Sequence, residues 1–79
     1  MQLCDGKIGG RYCVGVSTVP EHLQRRLEAL GMTEGATLEI IHKKHSGTMV
    51  IVLRGTRFAL GKDVTRGISV EEVAHESTK

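Results

Sequence analysis

Residues 18–35 read TVPEHLQRRLEALGMTEG, and this stretch decides how the rest of the chain is interpreted. Thr18 and Glu21 have the spacing of a capping box, and Pro20 lies in the predicted first turn, where a missing N–H is tolerated. Gly31 favours the left-handed backbone conformation that ends a helix. The apolar residues at helical spacing are Leu23, Leu27 and Leu30. The stretch therefore predicts one short amphipathic helix.

Around this helix the sequence alternates in the pattern of short β-strands. The predicted strands are residues 11–17, 36–43, 49–53, 58–60 and 68–73. Gly55 and Thr56 predict a tight hairpin turn, and residues 62–66 predict one helical turn. Residues 1–10 are expected to form a lead-in loop and residues 74–79 a frayed tail. We expect a mainly β fold: a small SH3-like barrel of about five strands with one inserted short α-helix and one helical turn.

Strand alternation and the apolar stripe of the helix together predict the core. Its expected members are Val14, Val16, Leu23, Leu27, Leu30, Leu38, Ile40, Ile51, Leu53, Phe58, Leu60, Val64 and Ile68. Closure of the barrel would remove the open sheet edges that invite aggregation in so small a sheet.

Composition limits the class of protein. With 79 residues, a single domain spanning 1–79 has a thin core, which argues against a deep substrate pocket. A net charge of +2 and an aromatic content of 3% give little attraction to nucleic acid. The chain shows no membrane-length apolar run and no signal-peptide core, so we expect a cytoplasmic protein that meets membranes only through a partner. Cys4 and Cys13 would then remain thiols.

Residues able to catalyse or to bind a metal do not fall into recognised patterns. The available soft-metal ligands are His22, His42, His45, His75, Cys4 and Cys13. Their spacings match neither a CxxC pair nor an i, i+4 histidine pair, so no built-in metal site is predicted, although adventitious zinc or iron binding stays open. Glu71 and Glu72 are strand neighbours that point to opposite faces and cannot flank one bond. We predict no enzyme, no catalytic residue and no cofactor.

The predicted surface carries two features typical of protein contact. If Ile51 and Leu53 face the core, Val50 and Val52 face outward with Ile41 as an exposed apolar patch. Basic side chains around the predicted hairpin and the following helical turn offer a second patch, suited to an acidic partner. Because the two valines are expected to be exposed, a homodimer is also possible.

Three stretches carry a family resemblance: LQRRLEALGMTEG at residues 23–35, ATLEIIHKK at 36–44 and MVIVLRGTRFALGKDVTRGISVEEV at 49–73. In this order of helix, glycines and strands, the chain from Gly15 to Val73 resembles the FeoA family (ferrous iron transport protein A). The resemblance implies an SH3-like barrel. The chain departs from the family in two places. Ser46-Gly47-Thr48 stands where a Gly-Asp-Pro-like turn is frequent, and Val50 and Val52 stand where polar residues are common.

What the resemblance implies is a small accessory protein of bacterial ferrous iron uptake. Its partner would be the membrane transporter FeoB, whose cytosolic portion carries a GTP-binding domain, and the contact would assist or regulate transport. No metal ligand is transferred by the resemblance. The residues expected to bind the partner are Arg25, Arg26, Val50, Val52, Arg54 and Arg57.

Two other functions stay open on the sequence. Similar barrels occur at the C-termini of metal-dependent repressors, so a regulatory or nucleic-acid-associated SH3-like module is one alternative, although no helix-turn-helix is found here. The thiols and histidines make a weak Fe(II) or Zn(II) carrier the other alternative.

Overall fold

The structure, a computed structural model, describes residues 1–73, so the predicted tail at 74–79 lies outside the described residues. The elements in chain order are β1 (Arg11–Ser17), α1 (Glu21–Ala29), β2 (Thr37–Lys43), β3 (Met49–Leu53), β4 (Thr56–Leu60), α2 (Lys62–Thr65) and β5 (Ile68–Glu72). A short 3-10 helix, Leu3–Asp5, precedes them. The predicted order of five strands, one helix and one helical turn is confirmed.

The five strands form one antiparallel sheet in the order β4-β3-β2-β1-β5. Strands that follow one another along the chain pair directly, except that β5 returns to the far side of β1. Strands β4 and β5 stand at the two ends of this order and do not pair with each other, so the sheet does not close within the described residues. Along the chain, α2 connects these two strands. The predicted barrel is therefore a five-stranded sheet with two edges.

Alternate residues of the strands face one core. Of the predicted members, those that are buried are Val14, Leu27, Leu38, Ile40, Ile51, Leu53, Leu60 and Ile68, while Leu23, Phe58 and Val64 are half-buried against them. The core residues that the sequence pattern missed are Leu3, Tyr12, Val19, Met32, Met49, Thr65 and Val70. Thr65 is fully buried because its hydroxyl donates to the carbonyl of Lys62, at 3.2 Å.

Two predicted core residues are at the surface. Val16 is 63% exposed, because the register between β1 and β5 shifts between Val14 and Ser17, and an extra residue interrupts the alternation of side chains. Leu30 is 46% exposed, because α1 ends one residue earlier and the chain turns away. Met32 is buried in its place.

The end of α1 was predicted correctly and its start was not. Gly31 has φ +95°, and its N–H and that of Met32 donate to Glu28 and Leu27, which closes the helix with a Schellman motif. At the other end the capping box is absent, because Pro20 is the N-cap. The Thr18 hydroxyl donates instead to the carbonyl of Gly67, at 3.2 Å.

Residues 1–10 are an integral part of the fold, which corrects the predicted lead-in loop. Leu3 is completely buried, and the carbonyl of Met1 accepts a hydrogen bond of 2.8 Å from Val70 of β5. The Lys43 ammonium donates to the carbonyls of Cys4 and Gly6, at 3.3 and 2.9 Å. These contacts hold residues 1–10 against the sheet. The segment has no sequence periodicity that would predict this packing.

Candidate interaction surface

Val50 and Val52 face away from the core, as the alternation of β3 predicts. Met49, Ile51 and Leu53 are buried, whereas the two valines between them are half-buried. Pairing places Val52 between Glu39 of β2 and Arg57 of β4, and Val50 between His42 and Ala59. The valines therefore lie on the outer face of the sheet among charged and small side chains.

Ile41 is not in line with these valines. The register between β2 and β3 passes from the pair Ile40–Ile51 to the pair His42–Val50, so Ile41 is the extra residue of a bulge. His42 takes the position opposite Val50 that strict alternation assigned to Ile41. The expected three-residue apolar patch is accordingly divided by a histidine.

Arg54 and Gly55 form the turn of the β3–β4 hairpin. Leu53 pairs with Thr56, and the two residues between them have φ values of 54° and 82°. Positive φ at both central positions is the mark of a type I′ turn, which suits the twist of paired strands. The predicted turn, Gly55 and Thr56, is thus one residue late, and β4 begins at Thr56.

The hairpin turn lies beside the C-terminal end of α1. A β-carbon built on Gly31 would be 3.7 Å from Cδ of Arg54 and 3.9 Å from Cδ2 of Leu53. Arg54 therefore places its side chain near the carbonyl end of the helix, where a cation is favoured by the helix dipole.

The two arginines of α1 do not share a face. Successive residues of a helix are about 100° apart, so Arg25 and Arg26 point in different directions. Arg25 is paired with Glu21 at 3.0 Å in an exposed i, i+4 ion pair. Arg26 is exposed and lies one helical turn before Leu30. Arg25 therefore lies on a different side of the helix from Arg26 and has a carboxylate partner of its own.

Arg11 and Glu39 lie beside Val52 on the outer face of the sheet, and the sequence analysis did not include them in the contact surface. Arg11 of β1 pairs with Glu39, which pairs with Val52, so these three lie in one row that continues to Arg57. Alternation along β1 and β2 is the signal that could have found them, once the register was known. A shallow depression of about 250 Å³ lies here, lined in part by Arg11, Glu39, Val52 and Arg54. Its volume is below the range of about 300–1,000 Å³ that is usual for small-molecule sites.

The candidate metal ligands stay separate. His22 is on α1, His42 is on β2, and His45 is in the following turn, while His75 lies outside the described residues. Cys4 and Cys13 are free, half-buried thiols. Within residues 1–73 no three side chains of histidine, cysteine, aspartate or glutamate come together in a way that could hold a metal ion.

A model of the FeoA domain matches residues 1–72. The chain belongs to the FeoA family. The match takes in residues 1–14, which the resemblance in the sequence had left out, and the burial of Leu3 explains why this segment is part of the FeoA domain. The FeoA family consists of small accessory domains and is linked to ferrous iron transport.

Solved structures share the fold of this FeoA-family chain. The FeoA protein of Chlorobium tepidum is 26% identical, with a TM-score of 0.88 over 98% of this chain and 74% of that one. Stenotrophomonas maltophilia FeoA in complex with zinc, described as a prokaryotic SH3 domain protein, is 22% identical, with a TM-score of 0.78 over 90% and 89% of the two chains. The predicted SH3-like class is confirmed.

A manganese-dependent transcriptional repressor also shares the fold, at 16% identity and a TM-score of 0.85, with 92% of this chain matched to 41% of that one. At this identity the likeness concerns the fold alone. No curated protein compared with the chain matches it. Among the described residues, none of the helices is both long enough and apolar enough to span a membrane.

Proposed function

We propose that this FeoA-family chain is a cytoplasmic, non-catalytic accessory protein of ferrous iron uptake that needs no cofactor. It binds the cytosolic GTP-binding portion of the membrane transporter FeoB and thereby assists or regulates transport. The observation that carries this proposal is the FeoA-domain match over residues 1–72, which accounts for nearly the whole chain.

The contact surface in this proposal is centred on the β3–β4 hairpin. Val50 and Val52 supply apolar area, and Arg54 and Arg57 supply positive charge at its border. Arg26 extends this surface along α1, while Arg25, held by Glu21, lies outside its centre. A partner surface with acidic groups around an apolar centre is complementary, and such complementarity raises association rates and specificity.

Regulation by binding requires a preference among the states of the transporter. A bound protein shifts a conformational equilibrium only by the difference between its affinities for the two states. We therefore expect the affinity for FeoB to depend on whether GTP, GDP or no nucleotide is bound.

The test is calorimetric titration of the purified chain against the cytosolic portion of its own FeoB in each nucleotide state. We expect saturable one-to-one binding with a Kd of about 1–100 μM, which is usual for a small transient interface. Reversing two charges, as in Arg54→Glu with Arg57→Glu, should weaken binding at least tenfold. The control is Lys44→Glu, which alters an exposed lysine between β2 and β3, at the opposite end of β3 from Arg54.

Absence of binding in all three nucleotide states would contradict the proposed function. Equal losses of affinity in the hairpin variant and the Lys44 control would leave FeoB as the partner but remove the hairpin as the contact. Neither alternative function has a specific observation in its favour. The likeness to the repressor concerns the fold alone, and the potential metal ligands described do not converge.

A further inference from the structure

A groove lies around Val16, away from the hairpin surface. On its β5 side it has a volume of about 530 Å³ and is lined in part by Cys13, Val16, Ser69 and Glu71. On its α1 side it continues as a smaller depression of about 160 Å³, bordered by Glu28 and other residues of the helix. Gly15, Val16 and Glu34 line both depressions, so the two adjoin at these residues.

The irregularity in β1 creates this groove. The register shift after Val14 turns Val16 outward, so a branched apolar side chain is exposed. The preceding residue, Gly15, has no side chain, and a β-carbon there would come within 3.3 Å of the Ser69 carbonyl oxygen. The floor of the groove is therefore backbone, with an apolar side chain at its centre.

The border of the groove is acidic. Glu28, Glu34 and Glu71 line it, and no lysine, arginine or histidine side chain of residues 1–73 does so. The one ion pair among the described residues joins Arg25 to Glu21, so none of these three carboxylates is neutralised by a described side chain. The Met1 ammonium, at one end, donates to the Val70 carbonyl at 3.3 Å.

We propose that this groove binds an extended segment of another protein in which an apolar side chain is flanked by lysines or arginines. The apolar side chain packs on Val16, and the flanking cations face Glu34 and Glu71. Charge complementarity selects this occupant, because the chain has a net charge of +2 and yet the charged side chains that line its groove are all acidic.

A second copy of the chain fits the groove less well. Its basic hairpin has no apolar residue between Arg54 and Arg57 to pack on Val16. The groove shares no residue with the six predicted FeoB contacts, so this proposal stands or falls separately from the proposed function.

The test uses three capped pentapeptides, KKLKK, EELEE and KKGKK, added to the isotope-labelled full chain and followed through its backbone amide NMR signals. We expect KKLKK to shift signals of residues 13–17, 33–35 and 69–71 with a millimolar or tighter Kd. KKGKK should bind at least threefold more weakly, because it lacks the apolar side chain, and EELEE should not bind. Raising the salt from about 50 mM to about 500 mM should weaken KKLKK binding severalfold, because salt screens the attraction between the peptide lysines and the groove carboxylates.

Each variant of a groove residue is compared with a control variant nearby, which tests whether the groove itself binds the peptide. Glu34→Lys with Glu71→Lys should weaken KKLKK binding at least fivefold, whereas Glu72→Lys, a neighbouring exposed residue of β5 that does not line the groove, should change it less than twofold. Val16→Ser should weaken binding about threefold, and Leu30→Ser, at another exposed apolar residue, should leave it unchanged. Dispersed amide signals in each variant establish that it is folded.

Four outcomes would overturn the assignment. The first is absence of KKLKK binding at millimolar concentration, and the second is equal binding of KKLKK and EELEE. The third is signal shifts confined to the hairpin. The fourth is a concentration-dependent shift of the groove signals without peptide, which would identify a second copy of the chain as the occupant.

Discussion

Arg54 adopts a backbone conformation that its side chain does not favour. Within residues 1–73 it is the one residue other than glycine with a positive φ, 54°. The left-handed region costs an ordinary residue about 1–2 kcal/mol, and Asn-Gly is the preferred pair in a type I′ turn. The sequence predicts a hairpin here, because a glycine separates two strand patterns, but Gly55 alone does not reveal whether it is the first or the second central residue. The cost is consistent with a contact role for the Arg54 side chain.

Replacing Arg54 with asparagine should stabilise the chain and weaken the proposed contact with FeoB. Asparagine tolerates the left-handed region, so Arg54→Asn should raise the free energy of unfolding by about 0.5–1 kcal/mol and the Tm by several degrees. Arg57→Asn makes the same change of charge in β4, where the backbone is regular, and should give no stabilisation. Thermal unfolding followed by circular dichroism measures both. A lower Tm for Arg54→Asn would show that the arginine stem, packed beside Gly31, outweighs the strain.

At the scale of elements, α1 shows which helix signals can be read from sequence. Its C-terminal end depends on Gly31 and on hydrogen bonds within five residues, so a local pattern predicts it. At its start, Thr18 bonds to Gly67, 49 residues away, in place of the predicted capping box, and no local pattern contains that partner. The same distinction applies to the strands. The alternating pattern correctly predicted that Val50 and Val52 face outward. It gave the wrong placement for Ile41 and Val16, because each lies at a register shift between paired strands.

Gly31 and Gly61 should respond differently to substitution by alanine. Gly31 has φ +95°, so Gly31→Ala should lower the free energy of unfolding by about 1–2 kcal/mol. Gly61, the N-cap of α2, has φ −70° and no atom within 4 Å of an added β-carbon. Gly61→Ala should change the free energy of unfolding by less than about 0.5 kcal/mol, because the lower entropy of the unfolded chain offsets the poorer capping by alanine. Urea unfolding of the two variants beside the parent chain provides the comparison. If both lose the same stability, the conformation of Gly31 is not the cause of its loss.

At the scale of the whole molecule, the two ends of the described chain are packed together. The Met1 carbonyl bonds to Val70, and Gln2 bridges to Ser69, so residues 1–10 complete the core from outside the sheet. The mainly β class and the order of the elements along the chain could be predicted, because short alternating runs indicate the strands. The role of Leu3 could not, because a segment with three glycines and no periodicity gives no sign of what it packs against. The sequence also did not predict the groove around Val16. Val16 is exposed because of the register shift between β1 and β5, and a local pattern does not contain that pairing.

Truncating Leu3 should destabilise the entire domain. Its side chain is 0% exposed, so Leu3→Ala should lower the free energy of unfolding by about 2–5 kcal/mol, a large part of the roughly 5–15 kcal/mol usual for a domain. Ile8→Ala, in the same segment but at a residue that is 57% exposed, should cost less than about 0.5 kcal/mol. Chemical unfolding followed by circular dichroism measures both values. Similar small losses for the two variants would mean that the segment is not part of the cooperative core.

The outer edge of β4 affects how the molecule behaves in concentrated solution. Within the described residues β4 is paired on one side only, so its other side presents unused backbone donors and acceptors. Strands in this position tend to recruit further strands from neighbouring molecules, and charged side chains along them oppose such growth. Arg57, next to Phe58 and Ala59, is the charged side chain within β4. The positive charge that we propose for recognition of a partner therefore also opposes fibrous self-assembly.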